Sequence, residues 1–323
     1  MPTVLSIENN LSWSWAMIVQ QLKKHLDGYE FVRITRGQFP CQNVRCGAVH
    51  MYPLDVDLQD HFNILLPQNH DGVRHLDDEF RAKTIVRFGG LFMQPNLDPS
   101  KYQNDFRSVG AVIATNDALA DIARPANANV TVIPNGVPLD LFCPADPNPN
   151  FDPPFTIGFA GNTWGEGGKY KGWRYFVQAG VDMHAEGVEQ LHLLHRVNQI
   201  PHDNMPKEFY HKIDALILPS QGEGCSNVVT EALACGVPVI MTKVGFHGER
   251  LTDGENVLYI ERDLEGESKK TTVQIKAAVR RLMSEPDLRT RLAKNGRAFA
   301  EQYHDVRQVA ALYDKVFRSI LSP

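Results

Sequence analysis

No stretch of this chain approaches the ~20 consecutive apolar residues that a membrane-crossing helix needs, so no transmembrane segment is expected. The N-terminus, Met-Pro-Thr-Val-Leu-Ser-Ile-Glu, lacks a basic region followed by an apolar stretch, and a signal peptide is not expected either. Cysteine is sparse: Cys41, Cys46, Cys143, Cys225 and Cys235 are scattered and odd in number. That pattern fits reduced thiols in the cytoplasm better than a disulfide framework. Cys41 and Cys46 have no second pair at zinc spacing, and no metal or other cofactor is expected. Neither half is basic. Residues 1–150 hold 12 Lys+Arg against 16 Asp+Glu, and the remainder 21 against 22, giving nets of −4 and −1. A non-specific nucleic-acid or anionic-lipid binder needs a positive face, so those classes are disfavoured. Short repeats and low-complexity tracts are also missing.

What is present is enough apolar material for two cores: 323 residues, 43% hydrophobic and 22% charged. Strands are expected at 3–8, 31–35, 62–67, 83–88, 110–115 and 130–134, with an amphipathic helix at 14–26. The spacing leaves room for crossover helices and therefore predicts parallel sheets. At 143–154 the chain reads Cys-Pro-Ala-Asp-Pro-Asn-Pro-Asn-Phe-Asp-Pro-Pro. Proline removes backbone donors, so this stretch reads as a linker. The alternation restarts at 155–161 and continues through strands at 191–196, 214–220, 237–243 and 256–261, with helices at 173–187, 227–235 and from 271 onward. The expected architecture is α/β: two Rossmann-like domains facing across a cleft, 1–145 and 146–304. The helix at 305–323 is one that can pack back on the first domain. In such sheets ligands bind beyond the carboxyl ends of the strands.

The most informative stretch is residues 219–240, Pro-Ser-Gln-Gly-Glu-Gly-Cys-Ser-Asn-Val-Val-Thr-Glu-Ala-Leu-Ala-Cys-Gly-Val-Pro-Val-Ile. A strand gives way to the turn Gly222-Glu223-Gly224, and a helix is expected to begin near Asn227 as its cap. The amides and dipole of a helix start favour an anion such as a diphosphate, which makes Ser226, Asn227 and Val228 candidate binding residues. Glu223 and Glu231 flank that start. Carboxylates repel phosphate, so they read as acceptors for sugar and ribose hydroxyls, or as an acidic loop and an ordinary first-turn glutamate.

This stretch resembles the E-x7-E signature of retaining GT-B glycosyltransferases of family four (glycosyl transferases group 1), with Glu223 and Glu231 as the two glutamates. Val130–Pro144, Ile157–Trp173 and Gly254–Glu261 resemble the family's neighbouring blocks in the same order. The resemblance covers roughly residues 110–262. It implies that Glu223 contacts the donor sugar and Glu231 the ribose, and that Lys171, with Lys169 second, neutralises the departing diphosphate. Gly161 and Asn162 then lie on the phosphate side. His70 is the candidate active-site histidine, and Arg87 and Asn116 are weaker candidates for the acceptor. The implied activity is metal-independent transfer of a sugar from a nucleoside-diphosphate sugar to an acceptor hydroxyl, with retention of configuration. The base, the sugar and the acceptor are not legible.

The chain departs from the family in places. Asn162 stands where an arginine is usual, Asn9–Trp13 where a glycine-rich loop is usual, and Arg87-Phe88-Gly89-Gly90 where a His-Gly pair is usual. Lys169 and Lys171 are expected to follow a flexible loop at Gly165–Gly168. Asn135-Gly136 reads as a turn with positive φ at Gly136. Asp55 and Asp57 match the metal-binding D-x-D of another fold only as three letters, and His192 and His195 alternate to opposite faces of one strand. Three rival readings stand beside the main one: a glycosyltransferase acting on modified DNA bases, a non-catalytic sugar-nucleotide-binding protein of the same fold, and a nucleotide-sugar epimerase or phosphorylase on that fold.

Overall fold

The computed structural model describes the chain except residues 9–13, 36–63, 68–72, 74–77, 90–99, 146–153, 162, 164, 197–199, 264–268 and 323. The chain forms two units, the first taking the described N-terminal residues through Gly136 together with Val306–Pro323, and the second Val137–Asp305. Among the described residues, no helix is long and apolar enough to cross a membrane.

In the first unit, β1 (Thr3–Glu8) lies between β2 (Glu30–Thr35) and β3 (Ile64–Pro67), all parallel. A second parallel set runs β4 (Ile85–Phe88), β5 (Ala111–Ala114) and β6 (Val130–Val132). The helices are α1 (Ser14–His25), α2 (Asp78–Ala82), α3 (Ser100–Phe106) and α4 (Asp117–Ala123). The final helix, α12 (Val306–Leu321), repeats apolar residues three and four apart, and its Val309, Tyr313, Val316 and Phe317 are buried with Val4, Leu22, Phe31, Ile64 and Ile113. Burying a large apolar side chain of this kind contributes about 1.5–3 kcal/mol. The Tyr29 hydroxyl also donates to Asp314 Oδ1 on α12 at 2.8 Å.

The second unit is one five-stranded parallel sheet in the order β11-β10-β9-β7-β8, with β7 Phe155–Ala160, β8 Leu191–Arg196, β9 Ala215–Leu218, β10 Val239–Thr242 and β11 Leu258–Ile260. Its helices are α5 (Gly165–Lys171), α6 (Trp173–Ala185), α7 (Met205–Glu208), α8 (Asn227–Ala234), α9 (Gly245–Arg250), α10 (Lys269–Ser284) and α11 (Pro286–Tyr303). The central strands β9 and β10 are buried at every position because both faces are covered. Leu216, Leu218, Val239 and Met241 point into one core with Phe209, Val229 and Phe299, whereas Ile217 and Ile240 point into the other with Phe159, Phe176 and Ile275.

Three local expectations change in the structure. The chain enters the second unit at Val137, upstream of the proline-rich stretch. Leu139 and Phe142 belong to its core, and Arg297 Nη1 donates to Phe142 O at 2.8 Å. Gly136 does not adopt positive φ. It is needed for space, since a Cβ there would lie 2.9 Å from Val306 Cα. The supposed flexible loop at 165–168 is the start of α5, and Gly168 permits a close approach: a Cβ would sit 2.4 Å from the Thr163 carbonyl.

Candidate functional site

The strand order of the second unit reverses between β7 and β9. A parallel sheet opens a crevice at such a switch, beyond the strands' carboxyl ends. β7 ends there at Ala160-Gly161, and β9 leads through Pro219-Ser220 into the loop before α8.

The cap of α8 is Ser226, in extended conformation, and not Asn227, which is the first helical residue. Ser226 is buried and makes no side-chain capping bond. The first intrahelical bond runs from Thr230 N to Ser226 O at 3.0 Å. The amides of Val228 and Val229 therefore precede any acceptor of their own helix and carry its positive end. An anion fits that chemistry, and a metal cation does not.

Lys171 is the last residue of α5, and its Nζ lies 2.6 Å from Glu223 Oε1, with side-chain exposures of 25% and 8%. The pairing holds one positive charge beside the loop in a partly dehydrated setting, where Coulomb interactions are stronger than in water. Gly161 belongs to the same cluster, because a Cβ there would lie 3.7 Å from Lys171 Cγ. Backbone geometry fixes the lysine. Gln221 N donates to Tyr170 O at 2.8 Å, and Gly172 takes φ 75°. A Cβ on Gly172 would stand 2.3 Å from Pro219 O. Gly172→Ala is therefore expected to cost about 1–3 kcal/mol or more, read as a lowered midpoint in denaturant unfolding at unchanged slope. A midpoint equal to that of the parent would contradict this account of the turn.

The opposite side of the loop is fixed as firmly. Phe246 N donates to Gly224 O at 2.8 Å, and Thr242 Oγ1 donates to Ser220 O at 2.5 Å. Gly245, at φ 62°, allows the loop to rest on α9, since a Cβ would approach Gly224 O to 2.5 Å. The Tyr170 ring lies under Gly222, and its hydroxyl is pushed up to about 12, first by burial and then by the Glu223 carboxylate. Tyr170 is thus a neutral donor at any physiological pH.

Glu231, one turn into α8, is 6% exposed. Its Oε2 accepts from the Tyr210 hydroxyl at 2.6 Å, and its Oε1 lies 3.0 Å from His202 Nε2. The carboxylate is held rigidly by two polar hydrogens while keeping lone pairs for a further hydroxyl. The Phe142 ring lies tilted against His202, with centroids 5.0 Å apart, and His211 Nε2 lies 2.8 Å from Cys143 O.

The structure thus brings Gly161, Lys171, Glu223, Ser226, Asn227, Val228 and Glu231 to one end of one sheet. Lys169 is exposed on the last turn of α5. His70 and Asn162 lie outside the described residues. Arg87 and Asn116 belong to the first unit, where both have structural partners. Arg87 Nη2 donates to Asn135 Oδ1, and Asn116 caps α4 by accepting from Leu119 N at 2.8 Å. Sequence reasoning missed Tyr170, His202 and Tyr210. The segment holding the last two, 202–212, carries no motif, and only tertiary packing delivers it to Glu231.

Comparison with known proteins bears on the same region. Residues 178–299 match the family model described as Glycosyl transferases group 1. An uncharacterized glycosyltransferase of Methanocaldococcus jannaschii is 34% identical over 95 residues, 29% of this chain and 25% of that protein. A lipopolysaccharide core biosynthesis mannosyltransferase of Rhizobium meliloti is 31% identical over 123 residues, 36% of this chain and 33% of that one. The matched segments thus span only a quarter to a third of these relatives. Whole-chain likeness is structural. Sucrose-phosphate synthase from Thermosynechococcus elongatus superposes with TM-score 0.73 at 16% identity, covering 100% of both chains. Anabaena HepE in complex with UDP-glucose gives 0.72 at 14% identity, covering 99% of this chain and 100% of that one. The fold is that of the GT-B glycosyltransferases.

Proposed function

We propose that this protein is a glycosyltransferase that moves a sugar from a nucleoside-diphosphate sugar to an acceptor hydroxyl, with retention of configuration and without a metal at the diphosphate. The observation that carries the reading is the Lys171–Glu223 pair set beside the uncapped start of α8, at the strand-order switch of the second unit. A bound UDP-glucose in HepE makes uridine diphosphate sugars the first donors to try. In this reading the diphosphate sits against the amides at 226–228, with Gly161 and Asn162 on its other side. Lys171, seconded by Lys169, offsets the charge that develops as the nucleotide leaves. Glu223 takes a sugar hydroxyl and Glu231 the ribose. His70 contacts the donor sugar, and Arg87 and Asn116 are the weaker proposals for the acceptor.

The bond between the anomeric carbon and the phosphate oxygen breaks, and a bond from that carbon to the acceptor oxygen forms on the same face. The acceptor proton passes to the departing phosphate oxygen. The protein works by orienting the reactants and stabilising the leaving charge. The relatives do not favour the rivals acting on modified DNA bases or lacking catalysis. A cytoplasmic location belongs to the same proposal. Among the described residues Cys143, Cys225 and Cys235 are in no disulfide, which fits it.

The test is to incubate the protein with a panel of nucleotide sugars and follow the anomeric proton by NMR. Release or transfer of the sugar with its starting anomeric configuration is expected. An inverted product would overturn retention, and no turnover of any donor, with or without a panel of sugar acceptors, would overturn the activity.

A further inference from the structure

Behind the loop that carries Glu223 lies a second cluster, which the transfer chemistry does not use. Cys225, His247 and His304 are all buried, and each offers one ligand atom within 4.8 Å of the others. They arrive from three separate segments: the loop before α8, helix α9, and the residue that ends α11. The two imidazoles are 5.1 Å apart between ring centroids. Phe246 and Phe299 surround His304 at 5.3 and 5.6 Å. Two imidazoles and a thiol thus converge inside one aromatic shell.

We infer that Cys225, His247 and His304 form a zinc site. Two neutral imidazoles and one thiolate are ligands that zinc prefers, and three protein ligands leave the fourth tetrahedral position to a water. Thr230 Oγ1 lies 3.2 Å from His247 Nε2 and orients that ring from α8, as second-shell partners of metal-bound histidines do. The backbones at two of the ligands are fixed. His304 N donates to Ala300 O and its carbonyl accepts from Val137 N, both at 2.8 Å, while Leu251 N donates to His247 O at 2.9 Å. Zinc–ligand bonds of about 2.0–2.3 Å put ligand atoms about 3.3–3.8 Å apart in a tetrahedron, so the side chains close in by about 1 Å on binding. The thiol proton leaves to solvent as the zinc–sulfur bond forms, with no change of oxidation state.

Such an ion ties the loop holding Glu223 and Ser226 to α9 and to the end of α11. It takes no part in leaving-group departure, so the proposed metal-independent transfer is unaffected. The inference rests on this cluster alone and not on the proposed activity.

Tag-free protein is analysed for bound metals after gel filtration, then stripped with a chelator and titrated with Zn2+ and Co2+. About one zinc per chain is expected, along with a higher melting temperature when Zn2+ is restored. With Co2+, a thiolate-to-cobalt charge-transfer band is expected in the parent protein and is lost in Cys225→Ser. Readouts on the parent chain guard against a variant that fails to fold. Metal-free protein whose melting temperature ignores Zn2+ would overturn the site, as would cobalt binding without the charge-transfer band.

Discussion

Replacing Lys171 with alanine is expected to lower kcat by about 10²–10³-fold, with a much smaller change in donor KM. Removal of one preorganised group that stabilises developing charge has effects of that size. The asymmetry follows from timing, because the diphosphate gains charge as the glycosidic bond breaks and the lysine interacts more strongly with the departing group than with intact donor. Lys171 also neutralises Glu223 at 2.6 Å, so its loss leaves a nearly buried carboxylate without that cation. The Lys171→Ala chain should therefore be less stable as well. Pairing it with Glu223→Gln separates the two effects. The double variant should regain stability while turnover stays low. Steady-state kinetics beside a denaturant curve make the comparison, and a Lys171→Ala enzyme with parental kcat would remove the lysine from the mechanism.

The second large effect is at Glu231. Glu231→Ala is expected to weaken nucleotide binding about 10–100-fold, the range for a hydrogen bond to a charged group of about 1.5–3 kcal/mol. Part of the loss comes from reorganisation, because Tyr210 and His202 both lose this acceptor. Glu231→Gln keeps the shape and one carbonyl for Tyr210, so it should fall between parent and alanine. Tyr210→Phe should weaken binding less than either, since it removes only the positioning bond. Isothermal titration with the free nucleoside diphosphate measures all three. A Tyr210→Phe effect larger than that of Glu231→Ala would contradict a direct role for the carboxylate.

Much of the second unit was legible because its central strands are buried on both faces. The apolar runs at 215–218 and 239–242 admit little else between turn residues, and the observed elements fall within the expected ones. Glycine was misread where it serves close packing. Gly165 and Gly168 suggested a flexible loop, but one occupies a left-handed position at a helix start and the other lies against Thr163. The cap of α8 shifted by one residue, within what side-chain preferences alone can resolve. Asn116, a candidate for the acceptor, also caps α4, a role that an asparagine before Asp117 at a helix start signals by itself. The support around Glu231 was not legible, because His202 and Tyr210 reach it through packing between distant segments. Cys225, His247 and His304 escaped notice for the same reason, since no zinc-like spacing joins them in sequence.

The most direct test of the central claim is a thermal-melt panel on the parent chain and Glu231→Ala, with UDP, GDP, ADP and their sugars in the presence of EDTA. A ligand at about 100 times its Kd adds roughly 2.7 kcal/mol to the folded state. One nucleotide class should raise the parental melting temperature selectively, with the shift largely lost in Glu231→Ala. If no nucleotide moves the parent, or if the variant shifts as far as the parent, the donor site is not at the start of α8.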